Sequence, residues 1–266
     1  MNVVARIGPV LDIEVTGTRF HRHHVRFPWS LGRAYLSNGG YRVIPQVAGA
    51  GLLSGDRLSQ RVRLGEGARL RLESAGAMLV LSGSGPARSD WFFDLGPASR
   101  LILDAEPYAL APQAALQTKT RIRLAPGAQM IAIEAVCHSH DCTRSFGAWQ
   151  TQTRVETADG AQVLMDRQEA TSEATQRLTQ LPLAPSAFAT IWVLGPSIWS
   201  KSLVQDLPSV EHPIAVTPLR ANSGHAIRMV APDGGSLRAA IRQLLSVLEA
   251  RLDHSAGSIR AGTCTI

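Results

Sequence analysis

Between about residues 58 and 168, apolar and polar side chains alternate with a period of two. The alternation is broken at near-regular intervals by four-residue stretches of Gly, Pro, Ala, Ser, Asp and Glu. Aligned on the residue before each break, four segments match: Val62-Arg63-Leu64 before Gly65-Glu66-Gly67-Ala68, Phe93-Asp94-Leu95 before Gly96-Pro97-Ala98-Ser99, Ile122-Arg123-Leu124 before Ala125-Pro126-Gly127-Ala128, and Val155-Glu156-Thr157 before Ala158-Asp159-Gly160-Ala161. The anchors Leu64, Leu95, Leu124 and Thr157 stand 31, 29 and 33 residues apart. A period of that size marks stacked supersecondary units.

In each copy the period of two sends one set of side chains to a core, Val62, Leu64, Leu70 and Leu72 in the first and Ile122, Leu124, Met130 and Ala132 in the third. The alternate set, including Arg63, Arg69, Arg71, Arg123 and Gln129, is expected to face outward. Further strand-like stretches follow at Ala77–Leu81, Tyr108–Ala111 and Phe146–Val155. The fold expected is mainly β, with stacked, helical, solenoid-like sheets built from repeated hairpins. Near the end the period changes. Asp233-Gly234-Gly235-Ser236 offers cap residues, and Leu237, Ile241, Leu244, Leu245, Leu248 and Leu252 fall on one helical face, so an amphipathic helix is predicted over about 236–252. A shorter helix is predicted over 197–206, after Gly195-Pro196. The chain of 266 residues, 45% hydrophobic, is long enough to bury a sizeable core.

Charge narrows the choice of partner only a little. The net charge is +6, and nearly all of the cations are arginines, lysine occurring at Lys119 and Lys201 alone. Those arginines are dispersed along the chain and only 5% of residues are aromatic, a poor pattern for nucleic acid. Charged residues Arg6, Asp12 and Glu14 interrupt the apolar N-terminal stretch, and no run reaches membrane-spanning length. A soluble, cytoplasmic protein is expected. Three cysteines are too few and too odd for a disulfide framework.

The phosphate loop, the G-x-S-x-G elbow and the H-E-x-x-H zinc motif are all missing from the sequence. Cys137-His138-Ser139-His140-Asp141-Cys142 gathers thiols, imidazoles and a carboxylate, donors that suit zinc, nickel or copper, so Cys137, His138 and His140 are candidate metal ligands. The plain alternative is a strand end with Cys137 buried as a small hydrophobe. His21-Arg22-His23-His24 reads as a solvated basic loop. Gly49-Ala50-Gly51-Leu52-Leu53-Ser54-Gly55-Asp56 implies a tight backbone passage that ends on a fixed carboxylate.

The order of these features resembles the UreD (UreH) family of urease accessory proteins. The resemblance rests on Gly51-Leu52-Leu53-Ser54-Gly55-Asp56 before a strand, the repeated Leu-x-x-Gly-Ala turns, Glu106-Pro107, Ile133-Glu134-Ala135-Val136-Cys137, and Ile227-Arg228-Met229-Val230 before the terminal helix. It spans roughly residues 33–252 of a chain taken as a single UreD-like domain, 1–266. It departs from the family pattern at Ala50, Leu53 and Ser54, and at Glu73–Leu81, where a lysine and a tyrosine usual in the family are missing. The resemblance implies a non-catalytic protein that binds the urease apoprotein with UreF and UreG and assists nickel insertion. It further implies transient nickel rather than a tightly bound cofactor, no nucleic-acid or membrane partner, and an internal metal path for which Asp56, Glu106 and Glu134 are the candidates. Two other readings stand beside it: a metal-dependent hydrolase using the Cys137–Cys142 cluster, and a β-solenoid module that binds an acidic polymer through outward arginines.

Overall fold

A computed structural model describes residues 10–49, 51–139, 146–178, 180–195, 207–208 and 211–261. Six short strands, β1 (Leu11–Thr16), β2 (Arg19–Val25), β3 (Trp29–Leu31), β4 (Tyr35–Ser37), β5 (Gly40–Val43) and β6 (Pro45–Val47), lead into the repeats. The first repeat supplies β7 (Arg57–Leu64), β8 (Arg69–Glu73) and β9 (Met78–Val80), and the second supplies β10 (Ala87–Leu95), β11 (Arg100–Asp104) and β12 (Tyr108–Leu110). The third gives β13 (Ala115–Leu124) and the long β14 (Gln129–His138), and the fourth gives β15 (Ala148–Thr157) and β16 (Gln162–Ala170). Then come α1 (Ser172–Leu178), β17 (Ala187–Leu194), β18 (Ile214–Pro218), β19 (Gly224–Ala231) and α2 (Gly234–Ala261).

The alternating pattern does form stacked sheets, and the anchors chosen from sequence are the residues in register. Leu64 pairs with Leu95, Leu95 with Leu124 and Leu124 with Thr157, in parallel strands β7, β10, β13 and β15. On the other side of the turn, Leu70 pairs with Leu101 and Leu101 with Met130 along β8, β11 and β14. In the first three copies, therefore, the two arms do not pair with each other. Each turn carries the chain from a seven-stranded sheet, ordered β16-β15-β13-β10-β7-β1-β2, to a ten-stranded one whose main path is β18-β19-β17-β14-β11-β8-β5-β4. The fourth copy is a hairpin in the ordinary sense, β15 pairing antiparallel with β16. Periodicity reports which face is apolar and cannot report whether the partner strand lies in the same copy or the next.

Between the two sheets lies the first core, where Val62, Phe93, Ile122 and Val155 stack rung upon rung with almost no exposed surface. Facing side chains from successive coils touch because their strands are about 4.8 Å apart. A second core forms on the far side of the ten-stranded sheet. There Ile131, Ile133, Ala135 and Cys137 meet Leu237, Ile241, Leu244, Leu248 and Leu252 of α2. Asp233 caps α2, its carboxylate accepting from the Ser236 N–H at 2.8 Å and from the Ser236 hydroxyl at 2.6 Å. The predicted helical face is the observed one. No helix among the described residues is long and apolar enough to cross a membrane.

Not every expected placement holds. Gln129 is buried, its side-chain oxygen accepting from Arg100, and Arg71 lies beneath α2 rather than facing water. His21–His24 belongs to strand β2 and not to a loop. The helix predicted over 197–206 falls outside the described residues, and the short helix α1 appears where none was predicted. The end strands on the main paths of the two large sheets, β2 and β16, β4 and β18, are antiparallel to their neighbours, whereas the interior of the repeat stack is parallel; β9 ends a side branch parallel to β12, and β3 and β6 form a separate two-stranded sheet.

Candidate functional site

Strand β14 carries two faces with different duties. Its odd-numbered residues from Ile131 to Cys137 go to the helix-side core, and Met130, Ala132, Glu134, Val136 and His138 point between the sheets. Glu134 therefore puts a carboxylate into an otherwise apolar layer. It borders a cavity of about 440 Å³ between the two sheets, to which β10, β13 and β15 contribute Trp91, Thr118, Thr120, Trp149 and Thr151. The cavity widens toward Glu73, Glu106 and the exposed turn Ala75-Gly76-Ala77, and Gly49 and Gly51 form part of its border. Glu134 is deep in the protein, and the surface it retains faces this cavity rather than bulk water.

Neutral donors hold that carboxylate. The Thr153 hydroxyl lies 2.8 Å from both Glu134 oxygens and the Trp192 indole N–H donates at 2.9 Å. Burial pushes the Glu134 pKa up, and hydrogen bonds from Thr120, Trp192 and Thr153 oppose that shift. Among the described residues no cationic side chain pairs with it. Glu73 and Glu106 at the wide end are different: Arg42 and Arg71 pair with Glu73, and Arg238 pairs with Glu106 at 2.7 Å. Arg71 also bonds Asp104 at 2.6 Å and Glu249 of α2 at 2.5 Å, and Arg238 bonds Asp104 at 2.6 Å. An ion-pair network thus ties the helix to the rim of the cavity.

The residues singled out from sequence separate into groups. Glu134 and Glu106 both line the cavity. Asp56 does not: its Oδ2 accepts the Leu53 N–H at 2.8 Å and closes the turn that follows the bordering glycines. At Gly51 an added Cβ would sit 2.2 Å from the Leu79 carbonyl, so this loop needs glycine to lie against β9. Cys137 and His138 are adjacent on a strand and point to opposite faces, so they are not brought to a common ion. The Cys137 sulfur is within 2.8 Å of where a Cβ on Gly234 would be, and burial pushes its thiol up to about 11. His138 packs edge-on against Phe146 with ring centroids 5.1 Å apart, neither ring nitrogen has a hydrogen-bond partner among the described residues, and burial lowers its pKa to about 4. His140 and Cys142 lie outside the described residues. Among the described residues no group of three His, Cys, Asp or Glu side chains is placed to hold a metal ion. The threonines and tryptophans around Glu134 were missed in sequence; their signal was polar residues at inward positions, Thr118, Thr120, Thr151 and Thr153, in strands otherwise apolar on that side.

These features define a β-solenoid-like protein, closed along one side by a helix and hollowed around a single carboxylate that neutral donors hold. Comparison with known proteins narrows the class: the model of the UreD urease accessory protein matches residues 10–261, and the chain belongs to that family, whose role is urease maturation. It is 27% identical over 239 residues to Urease accessory protein UreD 1 of Methylorubrum extorquens strain PA1, covering 87% of this chain and 78% of that protein. It is likewise 27% identical over 233 residues to Urease accessory protein UreD of Mycolicibacterium smegmatis, covering 84% of this chain and 82% of the relative. A UreD of Cereibacter sphaeroides strain ATCC 17023 is 35% identical over 98 residues, covering 35% of this chain and 36% of that protein.

Proposed function

We propose that this chain is a non-catalytic, cytoplasmic scaffold that binds the urease apoprotein together with UreF and UreG, and that its inter-sheet cavity passes nickel toward the enzyme. The observation that carries the reading is Glu134, a carboxylate held by neutral donors in a cavity that no cationic side chain among the described residues lines. Such a group can receive a passing cation, and hydroxyl and carboxylate oxygens exchange a divalent ion more readily than a closed cage of thiolates and imidazoles would. Glu106 stands at the wide end of the same route, where displacement from Arg238 would free an oxygen. Asp56 acts from outside, fixing the glycine loop that borders the opening. Cys137, His138 and His140 would enter only if the segment beyond Ser139 carried a further donor to His138.

The test is co-expression of urease, its accessory proteins and this chain carrying Glu134→Gln. Nickel per purified urease and urease activity are expected to fall severalfold together, while the variant still co-purifies with its partners. Wild-type nickel loading with both Glu134→Gln and Glu134→Ala would remove the cavity from the mechanism.

A further inference from the structure

Arginines that are scattered in sequence are gathered by the repeat. On the outward face of the seven-stranded sheet, register places Arg61 beside Phe92, Phe92 beside Arg121 and Arg121 beside Arg154. The guanidinium of Arg61 lies 5.4 Å from the Phe92 ring centroid and that of Arg121 lies 6.0 Å from it, so the ring is flanked by two cations. At the strand spacing of about 4.8 Å, this row runs about 14 Å across four parallel strands.

The neighbouring row behaves differently. Glu14, Arg63, Asp94, Arg123 and Glu156 alternate in sign from strand to strand, and Arg63 pairs with Glu14 and Arg123 with Asp94. In the Phe92 row, Arg121 and Arg154 share the one carboxylate of Glu156, and Arg61 has no carboxylate partner among the described residues. Along the same face Arg57, Lys119 and Arg167 are exposed with no carboxylate partner among the described residues, and Arg88 donates only to the side-chain oxygen of Gln117. The opposite flank of the molecule is covered by α2, whereas this flat sheet keeps Arg61, Lys119 and Arg121 exposed.

We infer that the Arg61–Phe92–Arg121 row and the unpaired cations around it form a docking face for an acidic protein surface. Arginine and aromatic side chains are the types that anchor interfaces, and here the backbone of a parallel sheet has already fixed their positions. The interleaved acids favour a protein over a nucleic acid. Asp90 and Asp94 break the positive field into discrete spots, which suits paired side chains better than a continuous phosphate backbone. Phe92 is also the sole aromatic side chain in its row, too few for successive stacked bases. The inference rests on the scaffold reading, since it takes the acidic surface to belong to the urease apoprotein.

The experiment is biolayer interferometry of the full chain against purified urease apoprotein, with single-stranded oligouridylate RNA as a second probe. Arg61→Glu combined with Arg121→Glu should weaken apoprotein binding by about tenfold or more and flatten its salt dependence. Arg69→Glu combined with Arg242→Glu, on β8 of the ten-stranded sheet and on α2, makes the same change in net charge on the opposite flank and should leave affinity within twofold. Equal binding by the first double variant and the wild type would overturn the face assignment while leaving the scaffold reading intact. A wild-type chain that binds no apoprotein would overturn both. Tighter binding of RNA than apoprotein, lost in the same variant, would replace the acidic protein with a polyanion.

Discussion

Replacing His138 with leucine should make the protein more resistant to acid. The imidazole sits between the sheets against Phe146, with no partner for either nitrogen among the described residues, and burial lowers its pKa from 6.5 to about 4. The folded state therefore binds fewer protons at this residue than the unfolded chain does below pH 6.5. A depressed pKa contributes stability that is whole above the unfolded value and is lost as pH falls toward the folded one. At 1.36 kcal/mol per pH unit, the drop from pH 6.5 to 5.0 removes about 2 kcal/mol, and about 3 kcal/mol is lost by pH 4. Leucine of similar bulk has nothing to protonate. Urea denaturation from pH 7.5 to 5.0 should give His138→Leu a stability curve flatter than wild type by about 2 kcal/mol, the carboxylates that begin to titrate near pH 5 being common to both proteins. His225, whose pKa is also lowered by burial, is present in both proteins and cancels in the comparison. Parallel curves would mean that His138 is solvated or partnered in solution, and the reasoning would fail.

In the second turn Ala98 adopts φ +51° where the other copies have Gly67, Gly127 and Gly160, also at positive φ. Ala98→Gly should relieve that strain at a smaller entropic cost and raise stability by about 0.5–1 kcal/mol, read as an upward shift in Tm. Arg71→Met leaves Asp104 and Glu249 without their shared guanidinium, and because Arg71 keeps 27% side-chain exposure the loss should be about 2–3 kcal/mol, below that of a fully buried pair. The double variant Arg71→Met with Glu249→Met should recover part of it by the same melt. Glu134→Gln removes a carboxyl whose raised pKa lowers stability as pH rises, so this variant should gain on wild type in denaturation at alkaline pH even as nickel delivery falls.

Much of the architecture could be read from the alternation alone. Leu64, Leu95, Leu124 and Thr157 align in sequence and pair in the folded protein, because a coil that repeats its apolar spacing can stack in one register only. The face of α2 was equally legible, its leucines recurring at the helical period. What the pattern hid was the partner of each strand: β7 and β8 read as a hairpin and lie in different sheets. The site was legible by halves. The family resemblance pointed to Glu134 and Glu106, but the cavity that both line depends on side-chain volumes from twelve strands. Asp56 looked like a ligand and closes a turn. Cys137 and His138 looked like a pair, and one residue of strand separates them by the thickness of the sheet. The cationic face was illegible for the opposite reason, since dispersal in sequence is what a stacking period converts into adjacency.

The antiparallel strands at the ends of both large sheets have a consequence for assembly. A run of parallel coils offers each exposed border as a template on which a second molecule could continue the same lattice, the geometry that underlies fibrous growth. Here β2, β16, β4 and β18 all run against the parallel strands of the stack, so an interior coil laid on any of them would pair antiparallel and could not continue that lattice. Lengthening the parallel stack without a break would therefore take duplication of an interior coil.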